Sequence, residues 1–135
     1  MSCVKVIVAL LAANAPLLAL VPAEKIMAGV IPQGTPLPAV SVAEVSTVEI
    51  PHIDAQSPYT LVDARVQVTV VAASYPAQKA LLAAVRKACN YKRGTVAGVP
   101  VVSVRRGSNG PDFNDPETDF YMQSVDFHVI YHEAN

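Results

Sequence analysis

At 135 residues, with 52% hydrophobic and 16% charged residues and a formal net charge of -1, the chain carries enough apolar surface for one compact domain over residues 1–135. This balance excludes intrinsic disorder, and it excludes a whole-molecule nucleic-acid binder that relies on a basic excess. Cys3 and Cys89 lie far apart and outside any CxxC or Cys/His cluster, which rules out a disulfide framework and a zinc site of that type.

No charged residue interrupts Val6 to Ala23, and Lys5 precedes the run, so a signal peptide or membrane anchor is the first reading to weigh. Asn14, Pro16 and Pro22 break the run, and Val6 to Ala13 falls far short of the roughly 20 residues a spanning helix needs. The one small-x-small cleavage candidate, Ala13-Asn14-Ala15, runs into Pro16, a poor position for a signal peptidase. Val4, Ile7, Val8 and Leu11 instead fall at helical spacing and predict an amphipathic helix with one buried face. Asn14 then predicts the cap of a short second helix with Pro16 in its first turn and Leu17, Leu18, Leu20 and Val21 buried.

Ile26 to Ile31 predicts a brief strand, ended by the proline-rich turn Pro32-Gln-Gly-Thr-Pro-Leu-Pro38. Val40, Val42 and Val45 predict a strand of imperfect alternation to about Glu49, stopped by Pro51, with a polar loop from His52 to Pro58. Leu61 to Ala72 alternates cleanly, Val62, Ala64, Val66, Val68 and Val70 against Asp63, Arg65, Gln67 and Thr69, and its length predicts a central strand. Ser74 as cap, Pro76, and Leu81, Leu82, Val85 and Cys89 at helical spacing predict a helix to about Asn90.

Gly94 and Gly98 bracket a predicted turn before a strand over Val99 to Val104, and Gly107 to Pro111 opens an acidic loop that runs through Asp119. In a last strand from about Phe120 to His132, Tyr121, Val125, Phe127, Val129 and Tyr131 are expected in the core, with Met122, Ser124, Asp126, His128, Ile130 and His132 opposite. The order of elements predicts an α+β fold: a mostly antiparallel, or mixed, sheet of four to five strands with helices on one face.

The residues that carry chemistry do not converge. His128 and His132 form an i, i+4 pair that binds metal only on a helix; on a strand about 13 Å separates them at about 3.3 Å per residue. Asp112, Asn114, Asp115, Glu117 and Asp119 offer oxygen ligands, but Pro116 interrupts them and the calcium-loop glycine and closing glutamate are missing. Cys89 lies on the buried face of its helix, Ser57, Ser108 and Ser124 lack a nucleophile elbow, and His52 with Asp54 is the one loop pair suited to acid/base work. No phosphate-cradling glycine motif occurs. No metal, no cofactor and no enzymatic activity are expected.

Charge is segregated along the chain. Between Ala64 and Pro111 there is no Asp or Glu, yet eight of the ten basic residues lie there: Arg65, Lys79, Arg86, Lys87, Lys92, Arg93, Arg105 and Arg106. From Asp112 onward the pattern inverts, with Asp112, Asp115, Glu117, Asp119, Asp126 and Glu133 and no Lys or Arg. Such a pattern reads either as solvated faces or as an electrically two-sided molecule whose basic segment meets another copy's acidic segment, or DNA.

Leu10-Leu-Ala-Ala-Asn-Ala-Pro-Leu-Leu-Ala-Leu-Val21, Ile26-Met-Ala-Gly-Val-Ile-Pro-Gln-Gly-Thr-Pro-Leu-Pro38, Ala64-Arg-Val-Gln-Val-Thr-Val70 with Ser74-Tyr-Pro-Ala, and Tyr121-Met-Gln-Ser-Val-Asp-Phe-His-Val129 occur in that order. Together they resemble the tail-completion or tail-terminator family of long-tailed bacteriophages and prophages. The resemblance implies a structural protein made in the bacterial host cytoplasm and incorporated into the virion at the head-tail junction. It implies a homo-oligomeric ring, commonly a hexamer, on the head-proximal end of the tail tube, which ends tail growth and forms the joining surface. The implied partners are the tail tube protein and the head-completion or connector protein, with DNA passing through the ring without sequence-specific binding and no membrane. Arg105, Arg106, Asp112, Asp115, Glu117 and Asp119 are the candidate subunit-interface residues. The competing readings are a secreted or membrane-anchored small binding module and a small cytoplasmic enzyme using His52 and Asp54.

Overall fold

The computed structural model describes residues 2–29, 31–32, 34–51 and 58–134, except the side chain of Ser2. Helix α1 spans Ser2–Ala12 and buries Ile7 and Leu11 as its spacing predicts, but its buried face is turned toward Cys3 and Val6, and Val4 and Val8, expected in the core, are half-buried at its margin. The Leu17 amide donates to Asn14 Oδ1 at 2.9 Å, capping α2, a single turn over Ala15–Leu18. Leu17 and Val21 are buried, whereas Leu20, expected in the core, is exposed because α2 ends before it and the following backbone turns it outward.

A 3-10 turn over Ala23–Lys25 leads into β1, Ile26–Ala28. The strand expected to reach Ile31 stops at Ala28, where Gly29 takes φ +84. Strand β2, Ala39–Ile50, and β3, Tyr59–Ala72, form a long antiparallel hairpin. The register of β2 slips between Glu44 and Ser46, which breaks the alternation there: Val40 and Val42 before the slip are buried and Val45 at it is exposed.

Helix α3, Tyr75–Cys89, starts where the Ala77 amide meets Ser74 Oγ and has Pro in its first turn. It buries Leu81, Leu82, Val85 and Cys89 as its spacing predicts, together with Gln78 and Ala88. Beyond it come β4, Lys92–Val96; β5, Val99–Asn109; the two-residue β6, Phe113–Asn114; and β7, Tyr121–Ala134.

The sheet order is β1-β2-β3-β7-β5-β4, with β6 also pairing β7. Among the described residues only the β1–β2 pair is parallel, so the sheet is mixed. Among the described residues it has seven strands where four to five were expected. Lys92–Val96 forms an exposed edge strand without hydrophobic alternation, and β6 is a brief pairing inside the acidic loop. Strand β5 also outruns its predicted end at Val104 by a second register shift between Arg106 and Asn109.

One face of the sheet packs on the helices. Val62, Ala64, Val66, Val68 and Val70 of β3 meet Val125, Phe127, Val129 and Tyr131 of β7 beneath α1 and α3. Tyr121, expected among them, is only half-buried at the strand's start, edge-on to Tyr75 with ring centroids 6.2 Å apart. On the opposite face Asp126 is buried, contrary to a wet face, because the Arg65 guanidinium lies across it and donates from Nε at 3.0 Å.

Candidate functional site

Helix α3 carries a cationic side chain near each end, and the two ends meet different surroundings. Lys79 and Arg86 are separated by roughly 10 Å along the axis, at about 1.5 Å per residue. Near the N-terminal end, Lys79 Nζ donates to Asp112 Oδ1 at 2.6 Å and to Gln123 Oε1 at 2.8 Å, while Tyr75 donates its hydroxyl to Asp112 Oδ2 at 2.8 Å. The Lys79 hydrogen bond holds the Asp112 carboxyl below the usual carboxylate range, and Asp112 in turn raises Lys79. Gln123 closes the arrangement by donating to the Gly110 carbonyl at 2.9 Å. Asp112 is thus satisfied within its own copy.

The rest of the acidic loop folds on itself. Asp115 accepts the Glu117 amide on Oδ1 at 3.0 Å, and its carbonyl accepts the Asp119 amide at 2.7 Å. Asn114 donates to Asp119 Oδ1 at 3.2 Å, and Asp119 adopts φ +58. These bonds fix a tight Asp-Pro-Glu-Thr turn whose tip exposes Glu117, and among the described residues no cation pairs with Glu117.

At the other end of α3 the surface turns basic. Arg86 and Asn90 come from the end of the helix, Tyr91 from the turn after it, Arg105, Arg106 and Gly107 from β5, and His128 from β7. They line a cavity of about 570 Å³. With its amide oxygen facing β5, Asn90 accepts from Arg106 Nη2 at 3.2 Å and Nε at 3.3 Å. Arg86 Nε lies out of solvent and donates to no acceptor among the described residues. Among those residues, no carboxylate pairs with Arg86, Arg105 or Arg106.

Gly107 permits the close approach of β5 to β7: a Cβ there would lie 3.1 Å from the Asp126 carbonyl oxygen and 3.4 Å from the His128 ring. His128 is held beside Asp63, its Nδ1 3.9 Å from Oδ1.

The strand register fixes how the predicted interface residues lie. Arg105 sits opposite His128 and Arg106 opposite Phe127, while Asn114 sits opposite Tyr121. The arginines and the acidic turn are therefore separated by roughly 20 Å along β7, at about 3.3 Å per residue. Arg105 and Arg106 come together with Arg86 and His128, which spacing along the chain did not reveal; Asp115, Glu117 and Asp119 come together with one another, while Asp112 is drawn off to Lys79. The charge segregation is also partly cancelled internally, through Arg65 with Asp126 and Lys79 with Asp112.

Other candidates do not form a site. Among the described residues no cluster of three His, Cys, Asp or Glu is placed to hold a metal. His128 and His132 lie on β7, four residues apart in an extended strand. His52, Asp54 and Ser57 lie outside the described residues. Among the described residues no helix is long and apolar enough to cross a membrane. A largely apolar groove of about 710 Å³ runs between α1 and the β1–β2 edge, past Val4, Val8, Ala28 and Val42.

Burial pushes the Cys89 thiol up to about 12, well above the ordinary thiol value of 9.0, with Lys92 only partly opposing it. At pH 8 the folded protein therefore holds Cys89 as the unreactive thiol. Iodoacetamide at that pH is expected to leave Cys89 unmodified in native protein over minutes and to alkylate it after denaturation, as peptide mass spectrometry would record. Native labelling at the denatured rate would contradict the burial.

A protein-family profile described as "Tail completion protein gp17" matches residues 5–132. No curated protein sequence matches the chain. Among solved structures, the chain is similar to one described as "Virion of native gene transfer agent (GTA) particle", with TM-score 0.64 and 20% sequence identity over 95% of this chain and 92% of that one. At that identity the likeness speaks to the fold.

Proposed function

The chain belongs to the tail completion protein gp17 family, and from that premise we propose that it caps the head-proximal end of the phage tail tube as a ring. In this reading it is a structural component of the virion tail, and one tail-terminator-like domain comprises the chain. The ring, commonly of six copies, ends tube growth and offers the surface to which the filled head joins. Its neighbours are the tail tube protein below and the head-completion or connector protein above, and DNA passes through without sequence-specific contact. Its work is mechanical rather than catalytic.

The observation that carries this reading is the placement of opposite charges at different ends of one rigid unit. A surface with Arg105 and Arg106 and a surface with the acidic turn cannot meet within a copy, so they are available to meet between copies. Contact of two different surfaces is head-to-tail, and it closes into a ring when the rotation per copy divides a full turn.

Immunogold labelling of particles tests the location. Gold at the junction of head and tail is the expected result; well-formed particles with label elsewhere on the tail would overturn the capping role.

A further inference from the structure

We infer that the basic cavity at the C-terminal end of α3 is a socket for the Glu117 carboxylate of a neighbouring copy. The inference rests on the ring reading above and gives its subunit contact a chemistry. Three arginines, Arg86, Arg105 and Arg106, line one cavity of about 570 Å³ at this edge of the sheet, Arg106 from the helix side of β5, opposite Phe127, and Arg105 from the other side, opposite His128. Guanidinium groups gathered without a counter-charge repel one another, and an anion placed among them removes that repulsion. Among the described residues no carboxylate pairs with any of the three.

Two details show that the cavity is built to accept. Asn90 holds Arg106 through both Nη2 and Nε, fixing the plane of that guanidinium before any ligand arrives. Arg86 Nε is shielded from water with its proton unclaimed, and a buried donor left unmatched is destabilising until an acceptor reaches it. On β7 the cavity's titratable neighbours are His128, which lies beside Asp63, and Asp126, whose carboxylate is already held by Arg65.

The occupant is a carboxylate on a small, stiff projection, and the chain carries one. Glu117 tops a turn locked by the Asp115 and Asn114 hydrogen bonds, so presenting it costs little additional ordering. Asp112 is committed to Lys79 and Tyr75, and Asp119 to Asn114, which leaves Glu117 as the outward carboxylate of the loop. Turn and cavity lie toward opposite ends of α3, so each copy offers a donor at one end and a receiver at the other. A nucleic-acid phosphate is the competing occupant; the net charge of -1 and the carboxylates of Asp63 and Asp126 on the adjoining face disfavour a duplex there.

The test uses assembled particles. With Arg105→Cys and Glu117→Cys in the same chain, a short bis-maleimide is expected to link copies into dimers and higher multiples on a denaturing gel, and neither single variant should do so. The buried Cys3 and Cys89 provide little background. Particles holding several copies with no linked species would overturn the socket and leave the ring standing, whereas a single copy per particle would defeat both. A charge exchange separates the two occupants. Glu117→Arg alone should cut particle yield at least tenfold, and adding Arg105→Glu with Arg106→Glu should restore it. Loss that follows the arginines and ignores Glu117 would assign the cavity to phosphate and overturn the proposal.

Discussion

Replacing Phe127 with Ala is expected to lower the unfolding free energy by about 3–5 kcal/mol. Phe127 is fully buried on β7, opposite Val66 of β3 and Arg106 of β5, so its ring fills the middle of the layer between sheet and helices. Its removal forfeits the transfer free energy of the ring and leaves a cavity that a sheet paired on both sides cannot collapse to fill. Small domains are stable by only about 5–15 kcal/mol, so the loss is a large share of the whole. Urea unfolding should show the midpoint falling with an unchanged slope. Val48→Ala, in the exposed second half of β2 where Val48 is 61% exposed, serves as control and should change stability by no more than about 0.5 kcal/mol.

The second large effect is on assembly and leaves the fold intact. Arg105→Glu with Arg106→Glu should reduce the yield of complete particles by about a hundredfold or more, since like charges brought together across an interface cost several kcal/mol and each 1.4 kcal/mol is a factor of ten. Both side chains are exposed, and among the described residues the change removes the Arg106 hydrogen bonds to Asn90, worth about 1 kcal/mol. Circular dichroism and the thermal midpoint of the isolated protein should therefore stay near those of the parent chain. Normal particle yield from this variant would remove Arg105 and Arg106 from the subunit contact.

What could be read in advance follows the range of the interaction that decides it. Helix α3 was legible because Ser74, Pro76 and the spacing from Leu81 to Cys89 act within a few turns of chain. Strand β3 was legible because five residues at alternate positions all face the core. Strand β4 was not, since Lys92-Arg-Gly-Thr-Val is an exposed edge held by pairing to β5 rather than by a buried face. The burial of Asp126 depends on Arg65, 61 positions away, and no local pattern announces such a partner.

The basic cavity shows the same limit. Arg105 and Arg106 stand adjacent in the sequence, whereas Arg86 reads as an ordinary cation favouring a helix C-terminus. Their convergence requires both the register of β5 on β7 and the slip between Arg106 and Asn109, which is set by tertiary pairing. The acidic loop was recognised as acidic, but its division into a committed Asp112 and an outward Glu117 depends on where Lys79 lies.

Strand β7 is the last element in chain order and occupies the middle of the sheet, between β3 and β5. During synthesis β1, β2, β3, α3 and β5 therefore emerge around an unfilled slot, and the core face of β3 lacks its partner until β7 leaves the ribosome. At roughly 5–20 residues per second that wait lasts several seconds, long compared with collapse and comparable with slow folding of nonlocal sheets. The nascent chain is thus most exposed to mispairing and to capture by chaperones in the interval before β7 emerges, and a premature stop before Tyr121 removes the centre of the sheet rather than its margin.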